Sequence, residues 1–122
     1  MYRLYIPNNL DLVGLLKKAN KFKKREKHIQ RYQYIVSSIL YQQLNGKYKD
    51  KVNPYVNLCQ GYIREIISQK LCKEFFQDLI DWEVIESDNK AKAGSKCLGF
   101  RLNDQYINSP IKVTFITDFV LM

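Results

Sequence analysis

The chain has 122 residues, of which 46% are hydrophobic, and it carries a net charge of +8 at neutral pH. This length favours one domain, and this hydrophobic content excludes a chain that is disordered over most of its length. Three cysteines without a paired motif argue against a secreted disulfide framework, and no apolar run approaches the ~20 residues of a membrane span, so we expect a soluble intracellular protein.

The N-terminal residues predict a short strand followed by a helix. Residues 2–6 alternate in polarity and form a strand or an ordered arm that stops at Pro7. Asn8 and Asn9 are good N-caps, and we expect them to start a helix that ends near Asn20.

A longer helix is predicted over residues 24–44. Its apolar positions recur at three- and four-residue spacing, which places them on one buried stripe. Asn45 and Gly46 form a strong stop signal. The members of the stripe are Ile29, Tyr32, Val36, Ile39, Leu40 and Leu44.

Residues 17–31 contain almost all of the net charge. Eight lysines and arginines against the single acid Glu26 give this segment a net charge of +7. Like charges at neighbouring helical turns repel one another, so we expect a polyanion to offset them. Phosphates would do so, with an affinity that falls steeply as salt rises.

The second half of the chain predicts two helices and a β-hairpin. Asn57 and Gln60 resemble a capping box for a helix over 58–67, and a second helix follows over 69–81. Strands are expected over 82–87 and 97–103, joined by a polar, lysine-bearing loop.

This order of elements is that of a winged helix-turn-helix, in an α+β chain that is mainly helical. Within a single domain over 1–122, residues 1–52 would be a basic arm with scaffold helices, residues 53–107 the helix-turn-helix and wing, and residues 108–122 a C-terminal strand and tail. The terminal strand, over 111–117, would extend the sheet or mediate a homodimer.

Three groups of side chains are candidates for nucleic-acid contact. Lysine and glutamine on the second helix can read guanine and adenine edges, and lysines on the wing can reach phosphates. Asp78 and Asp81 would repel phosphate, so the C-terminal half of that helix should point away from the backbone. The candidates are Lys21, Lys23, Lys24, Arg25 and Lys27 in the basic segment, Gln69, Lys70, Lys73 and Gln77 on the helix, and Lys90, Lys92, Lys96 and Arg101 on the wing.

Enzymatic signals are weak, and we predict no catalysis, no metal and no cofactor. His28 is the only histidine and lies inside the lysine run, where neighbouring charge disfavours its protonation.

Two alternatives to duplex DNA binding stay open. One is a protein-interaction module that docks through the hydrophobic tail, and the other is a small metal-dependent nuclease that uses carboxylates near the hairpin. Single-strand binding by stacking on tyrosines is less favoured than duplex binding, and no membrane partner is expected.

The strings YVNLCQGYIREIISQKLCKEFFQDLIDWEVIESD and GSKCLGFRLNDQYI resemble the winged-helix domains of phage and plasmid replication-initiator-like proteins. Tyr55, Val56 and Leu58 match the entry of that group, and the return strand of the hairpin matches its glycine-, lysine- and arginine-bearing pattern. Asp81-Trp82 departs from the Asn-Gly that commonly precedes the first wing strand. The resemblance implies a DNA-binding replication accessory protein or transcriptional regulator, in the cytoplasm, at the nucleoid or in a virus-infected host cell.

Overall fold

A computed structural model of the chain describes residues 2–59, 69–88 and 97–117, which fold as an α+β structure with two small antiparallel sheets. The α+β class expected from the sequence is therefore confirmed. The helices are α1 (Leu12–Lys18), the single-turn α2 (Phe22–Arg25), α3 (Ile29–Leu44) and α4 (Gln69–Asp81). The strands are β1 (Tyr2–Pro7), β2 (Val56–Cys59), β3 (Ile85–Ser87), β4 (Cys97–Leu102) and β5 (Ile111–Ile116).

Helix α1 is capped by Asp11, so the prediction of Asn8 or Asn9 as its N-cap is wrong. The Asp11 carboxylate accepts a hydrogen bond from the Gly14 N–H at 3.0 Å. Asn9 has a different role, because its side-chain amide donates to the Gln105 carbonyl at 2.9 Å. That bond ties the start of the chain to a loop nearly 100 residues away, which a local capping pattern does not reveal.

The long helix starts at Ile29, later than the predicted residue 24. Residues 22–28 instead form the single turn α2 and a 3-10 turn, Glu26–His28. Lysines three and four residues apart repel one another along a continuous helix, which disfavours an uninterrupted α-helix through this run. Of the predicted stripe, Tyr32, Val36, Ile39 and Leu40 are buried in the core. Ile29 is partly buried against the core, and the prediction is wrong for Leu44, which is 47% exposed at the end of the helix.

Strand β2 replaces the start of the helix predicted over 58–67. Residues 56–59 pair antiparallel with β4, Val56 opposite Phe100 and Leu58 opposite Leu98. The capping box at Asn57 is therefore wrong, because Asn57 lies inside a strand. Pairing with a strand 40 residues away outweighs local helix signals here. Residues 60–67 of the predicted helix lie outside the described residues.

Helix α4 has the predicted bounds, and its C-terminus sets the start of the hairpin. The N–H of Val84 donates to the Leu79 carbonyl at 2.9 Å and that of Glu83 to the Ile80 carbonyl at 3.0 Å, while Glu83 has a φ of +58°. These bonds form a Schellman motif with glutamate in the left-handed position that glycine usually occupies. The motif occupies Trp82 to Val84, so β3 is shorter than the predicted strand over 82–87.

The sheet order β2-β4-β3 places the returning strand of the hairpin in the middle. Phe76 of α4 stacks on Phe100 of β4 with ring centroids 4.8 Å apart, which fixes the helix against the sheet. Gly99 allows a close approach, because a Cβ there would lie 2.9 Å from the Cβ of Asp88. The strand predicted over 97–103 is thus confirmed, ending one residue earlier.

The second sheet joins the two ends of the described chain. Strand β5 pairs antiparallel with β1, from Pro7 opposite Ile111 to Tyr2 opposite Ile116. The N-terminal residues are therefore a strand, one of the two forms expected. The predicted strand over 111–117 is confirmed, and it pairs with β1 in a sheet separate from that of the hairpin.

Candidate nucleic-acid interface

Two ion pairs bring the basic segment against α4. Lys21 reaches Asp78, 57 residues further along the chain, with 2.6 Å between Nζ and Oδ1. Arg25 reaches Glu74, 49 residues further, with 2.7 Å between a terminal guanidinium nitrogen and Oε2. The single turn of α2 therefore lies beside the helix that the sequence assigns to groove reading.

Asp78 is held by two donors. Its side chain is almost fully buried, and its second oxygen accepts a hydrogen bond from the Tyr32 hydroxyl at 2.7 Å. Burial raises the pKa of Tyr32, and the hydrogen bond to Asp78 raises it further, so the phenol stays a neutral donor. The predicted repulsion of phosphate by Asp78 is thus offset inside the fold, since Lys21 lies on the same carboxylate.

Arg25 is anchored by charge and by packing. Its guanidinium lies over the ring of Phe75, 5.2 Å from the centroid, while it pairs with Glu74. Burial lowers the pKa of Arg25, but the hydrogen bond to Glu74 and the electrostatic interactions with Tyr32, Glu74 and Asp78 together outweigh burial, so the net pKa is raised. Arg25 therefore acts as a permanent cation that ties α2 to α4.

Four predicted cations are exposed around this junction. Lys23, Lys24 and Lys27 lie on the basic segment and Lys73 lies on α4, next to the Glu74 that Arg25 binds. Within the described ranges, none of the four has a hydrogen bond or an ion pair. Within the described residues, no acid therefore offsets their charges.

Of the other three residues of α4 predicted to contact nucleic acid, the structure describes the side chain of Gln77 alone. Gln77 is exposed, and its amide donates to Asp81 Oδ1 at 2.8 Å, one turn later on the same face. Gln69 and Lys70 open the helix, but their side chains lie outside what the structure describes. An exposed acid thus marks the C-terminal end of α4, and the exposed Lys73 lies nearer its N-terminal end.

Arg101 is not a free cation on the wing. Its Nε donates to Glu86 Oε2 at 2.6 Å across the hairpin, and its guanidinium lies 4.4 Å from the centroid of the Tyr55 ring. The hydrogen bond to Glu86 raises the pKa of Arg101. Arg101 therefore braces the β2-β4-β3 sheet. Lys90, Lys92 and Lys96, the other predicted wing contacts, lie outside the described residues.

Two basic side chains of the segment are buried, which the sequence reasoning missed. Arg31 is 0% exposed and His28 is almost fully buried, and the three guanidinium nitrogens of Arg31 and Nδ1 of His28 have no hydrogen-bond partner among the described residues. Burial lowers the pKa of both, and the positive charges of Arg31, Lys27 and Arg25 lower that of His28 further. The four-residue spacing from Arg31 to Ile35 and Ile39 is a signal that could have placed Arg31 on the buried side of α3.

Across residues 2–59, 69–88 and 97–117 we find no group of three or more histidine, cysteine or acidic side chains that could hold a metal ion. Of the described helices, none combines the length and apolar content required to span a bilayer.

No protein-family profile matches the chain, and no curated protein or solved structure shows significant similarity to it. The resemblance to replication-initiator winged helices therefore stays a prediction.

Proposed function

We propose that the chain is a non-catalytic protein that binds double-stranded DNA through a winged helix-turn-helix. The observation that carries the proposal is the docking of the basic segment on α4 by the Lys21–Asp78 and Arg25–Glu74 pairs. This docking brings cations from distant parts of the chain together, and it neutralises two acids that would otherwise repel phosphate.

The order of elements supports the winged-helix part of the proposal. Helix α3 is followed by the short strand β2, then by α4, and then by the β3–β4 hairpin, with β2 pairing against β4. A helix directly before a β-hairpin is the arrangement in which the helix enters the major groove and the hairpin approaches the backbone. Strand β2, absent from the sequence prediction, adds a third strand that supports the hairpin.

The direction of α4 supports a reading mode in which its N-terminal half faces the bases. Recognition helices contact base edges mainly through their N-terminal residues. Lys70 and Lys73 lie in that half, and the exposed acid Asp81 lies at the opposite end. Lys23, Lys24 and Lys27 would contact phosphates beside the groove and supply the salt-dependent part of the affinity.

The test compares two triple substitutions that remove the same charge at opposite ends of α3. Helix α3 has 16 residues, so its ends are about 24 Å apart. The test variant replaces Lys23, Lys24 and Lys27 with glutamine at the N-terminal end. The control variant replaces Lys47, Lys49 and Lys51, which are exposed in the loop after the C-terminal end.

Fluorescence anisotropy with a labelled duplex, at several salt concentrations between 50 and 200 mM, measures both affinity and salt slope. If three phosphate contacts are lost, the slope of log K against log salt should flatten by about 2 to 3 units in the test variant and stay unchanged in the control. Equal effects in the two variants would mean that net charge alone matters and would refute the proposed site. A labelled single strand and heparin serve as competitors, and duplex should be preferred over single strand.

A plasmid incubated with magnesium or manganese addresses the nuclease alternative. Intact plasmid is expected, because Glu86, one of the hairpin carboxylates, is paired with Arg101. Cleavage that depends on the metal would overturn the non-catalytic part of the proposal.

A further inference from the structure

Strand β5 forms an open edge of its two-stranded sheet. Its partner β1 is covered on the far side by α3, where the Tyr5 N–H donates to the Ser37 hydroxyl at 2.8 Å. On the outer side of β5, no strand in the described parts of the chain pairs with it. A row of backbone donors and acceptors is therefore available to another chain.

The outer face of this sheet is exposed and largely apolar, with one cation, Arg3 of β1, whose guanidinium lies 5.7 Å from the centroid of the Phe115 ring. Ile111, Val113 and Phe115 alternate along β5 and are 40%, 43% and 56% exposed. Two residues of α3 extend the surface. Tyr41 lies beside Tyr5 with ring centroids 5.9 Å apart, and Leu44 lines the same cleft as Ile111. We name this surface the ribbon face; its members are Tyr5, Tyr41, Leu44, Ile111, Val113 and Phe115.

The ribbon face lacks the usual protection of an edge strand. Edge strands commonly carry several charges, a proline or a bulge that prevents pairing. The only charged residue of β5 is Lys112, which lies on the opposite side of the strand from Val113. An exposed apolar patch next to an open strand edge marks a contact site for another protein chain.

The sequence of β5 is complementary to itself under a two-fold axis. If the axis passes through Val113, Val113 meets Val113 of the partner subunit, Ile111 meets Phe115, and Lys112 meets Thr114. Every apolar side chain of the exposed face then has an apolar partner across the strands, which is the stabilising arrangement for antiparallel pairs. No lysine lies opposite another lysine.

Neighbouring registers are worse. An axis through Lys112 would place two lysines directly opposite each other, which is destabilising. An axis through Thr114 would place Lys112 opposite Ile116, which is buried against the core. The open edge therefore has one favourable register, and the chain that fits it best is a second copy of itself.

We propose that the protein forms a symmetric homodimer through antiparallel pairing of β5 with β5 of a second copy, with Val113 on the two-fold axis. The result is a four-stranded sheet, β1-β5-β5-β1, with the ribbon faces of both copies side by side. The inference is independent of DNA binding and depends only on the β1–β5 sheet and its exposed face.

The test uses the full chain and Val113→Lys. This substitution places two lysines opposite each other at the axis, while the side chain stays solvent-accessible in the monomer. Sedimentation equilibrium between about 1 and 100 µM should give a dimer for the unmodified chain. The dissociation constant of the variant should be at least about tenfold higher than that of the unmodified chain. Val13→Lys is the matched control, since Val13 is 38% exposed on α1, and it should leave the dimer unchanged.

A charge-reversal pair tests the register itself. Val113→Asp alone should also dissociate, whereas an equimolar mixture of Val113→Asp and Val113→Lys should associate again, because opposite charges then meet at the axis. Circular dichroism and thermal unfolding verify that each variant is folded. The proposal would be overturned if the unmodified chain is monomeric at about 100 µM, or if Val113→Lys leaves the dissociation constant unchanged. It would also be overturned if Val13→Lys dissociates the dimer, or if the mixture of the two Val113 variants fails to associate.

Discussion

The Tyr32 hydroxyl links the core helix α3 to the junction of α2 and α4, and its removal should have a measurable cost. Tyr32→Phe deletes one oxygen and leaves the ring contacts in place, with Phe75 at 4.6 Å and Trp82 at 5.4 Å between centroids. What is lost is the 2.7 Å hydrogen bond to the buried carboxylate of Asp78. Asp78 keeps Lys21 as its remaining partner.

The expected loss follows from the charge of the acceptor. A hydrogen bond to a charged group contributes about 1.5 to 3 kcal/mol, and a buried carboxylate that loses one of two partners is poorly compensated. With a urea m-value of about 1 to 2 kcal/mol/M for a chain of this size, the unfolding midpoint should fall by about 1 to 2 M. Urea denaturation, monitored by circular dichroism, measures this shift of the unfolding midpoint.

Two further variants separate the hydrogen bond from other effects. Tyr106→Phe is the control, because Tyr106 is also buried but its hydroxyl has no hydrogen bond to the described residues, and its loss should stay below about 0.5 kcal/mol. In an Asp78→Asn background, Tyr32→Phe should cost at least about 1 kcal/mol less than in the unmodified chain. A cost that is the same in both backgrounds, or below about 0.5 kcal/mol in the unmodified chain, would refute the role assigned to this bond.

Two other predictions concern the buried basic residues. The pKa of His28 is lowered in the folded chain, so the unfolded chain binds a proton at this residue more readily. The free energy of unfolding should therefore be highest above a pH of about 6.5 and should decrease as the pH falls toward the lowered pKa of the folded state. The decrease should be at most about 1.4 kcal/mol per pH unit. His28→Phe should remove this decline between pH 7.5 and 5.5 in urea denaturation, and a decline that persists would assign it to another group. Arg31→Met should leave the free energy of unfolding unchanged or raise it by about 1 to 4 kcal/mol, since the buried guanidinium has no hydrogen-bond partner among the described residues and an unpaired buried charge is costly. A loss of more than about 2 kcal/mol on thermal or urea unfolding would contradict that expectation and reveal a partner for Arg31.

Local patterns in the sequence were enough for several elements. Helix α4 was predicted with its observed bounds of 69–81, because its apolar residues keep helical spacing over the whole length. The terminal strand and the returning strand of the hairpin were also predicted, since each is a short apolar-rich run that follows turn-forming residues. The concentration of charge in residues 17–31 needs no structure at all, because it is a property of composition.

Tertiary structure alone decided how those elements combine. Strand β2 formed where a helix was predicted because its hydrogen-bonding partner, β4, lies about 40 residues away. Lys21, Arg25 and Arg101 were expected to contact phosphates, yet each is bound to an acid brought close only by folding. Arg31 belongs to the basic segment in the sequence, yet it is buried, because folding covers the face of α3 on which it lies. Spacing along the chain determines which face a residue occupies, whereas burial and ion pairing depend on which distant surface covers that face.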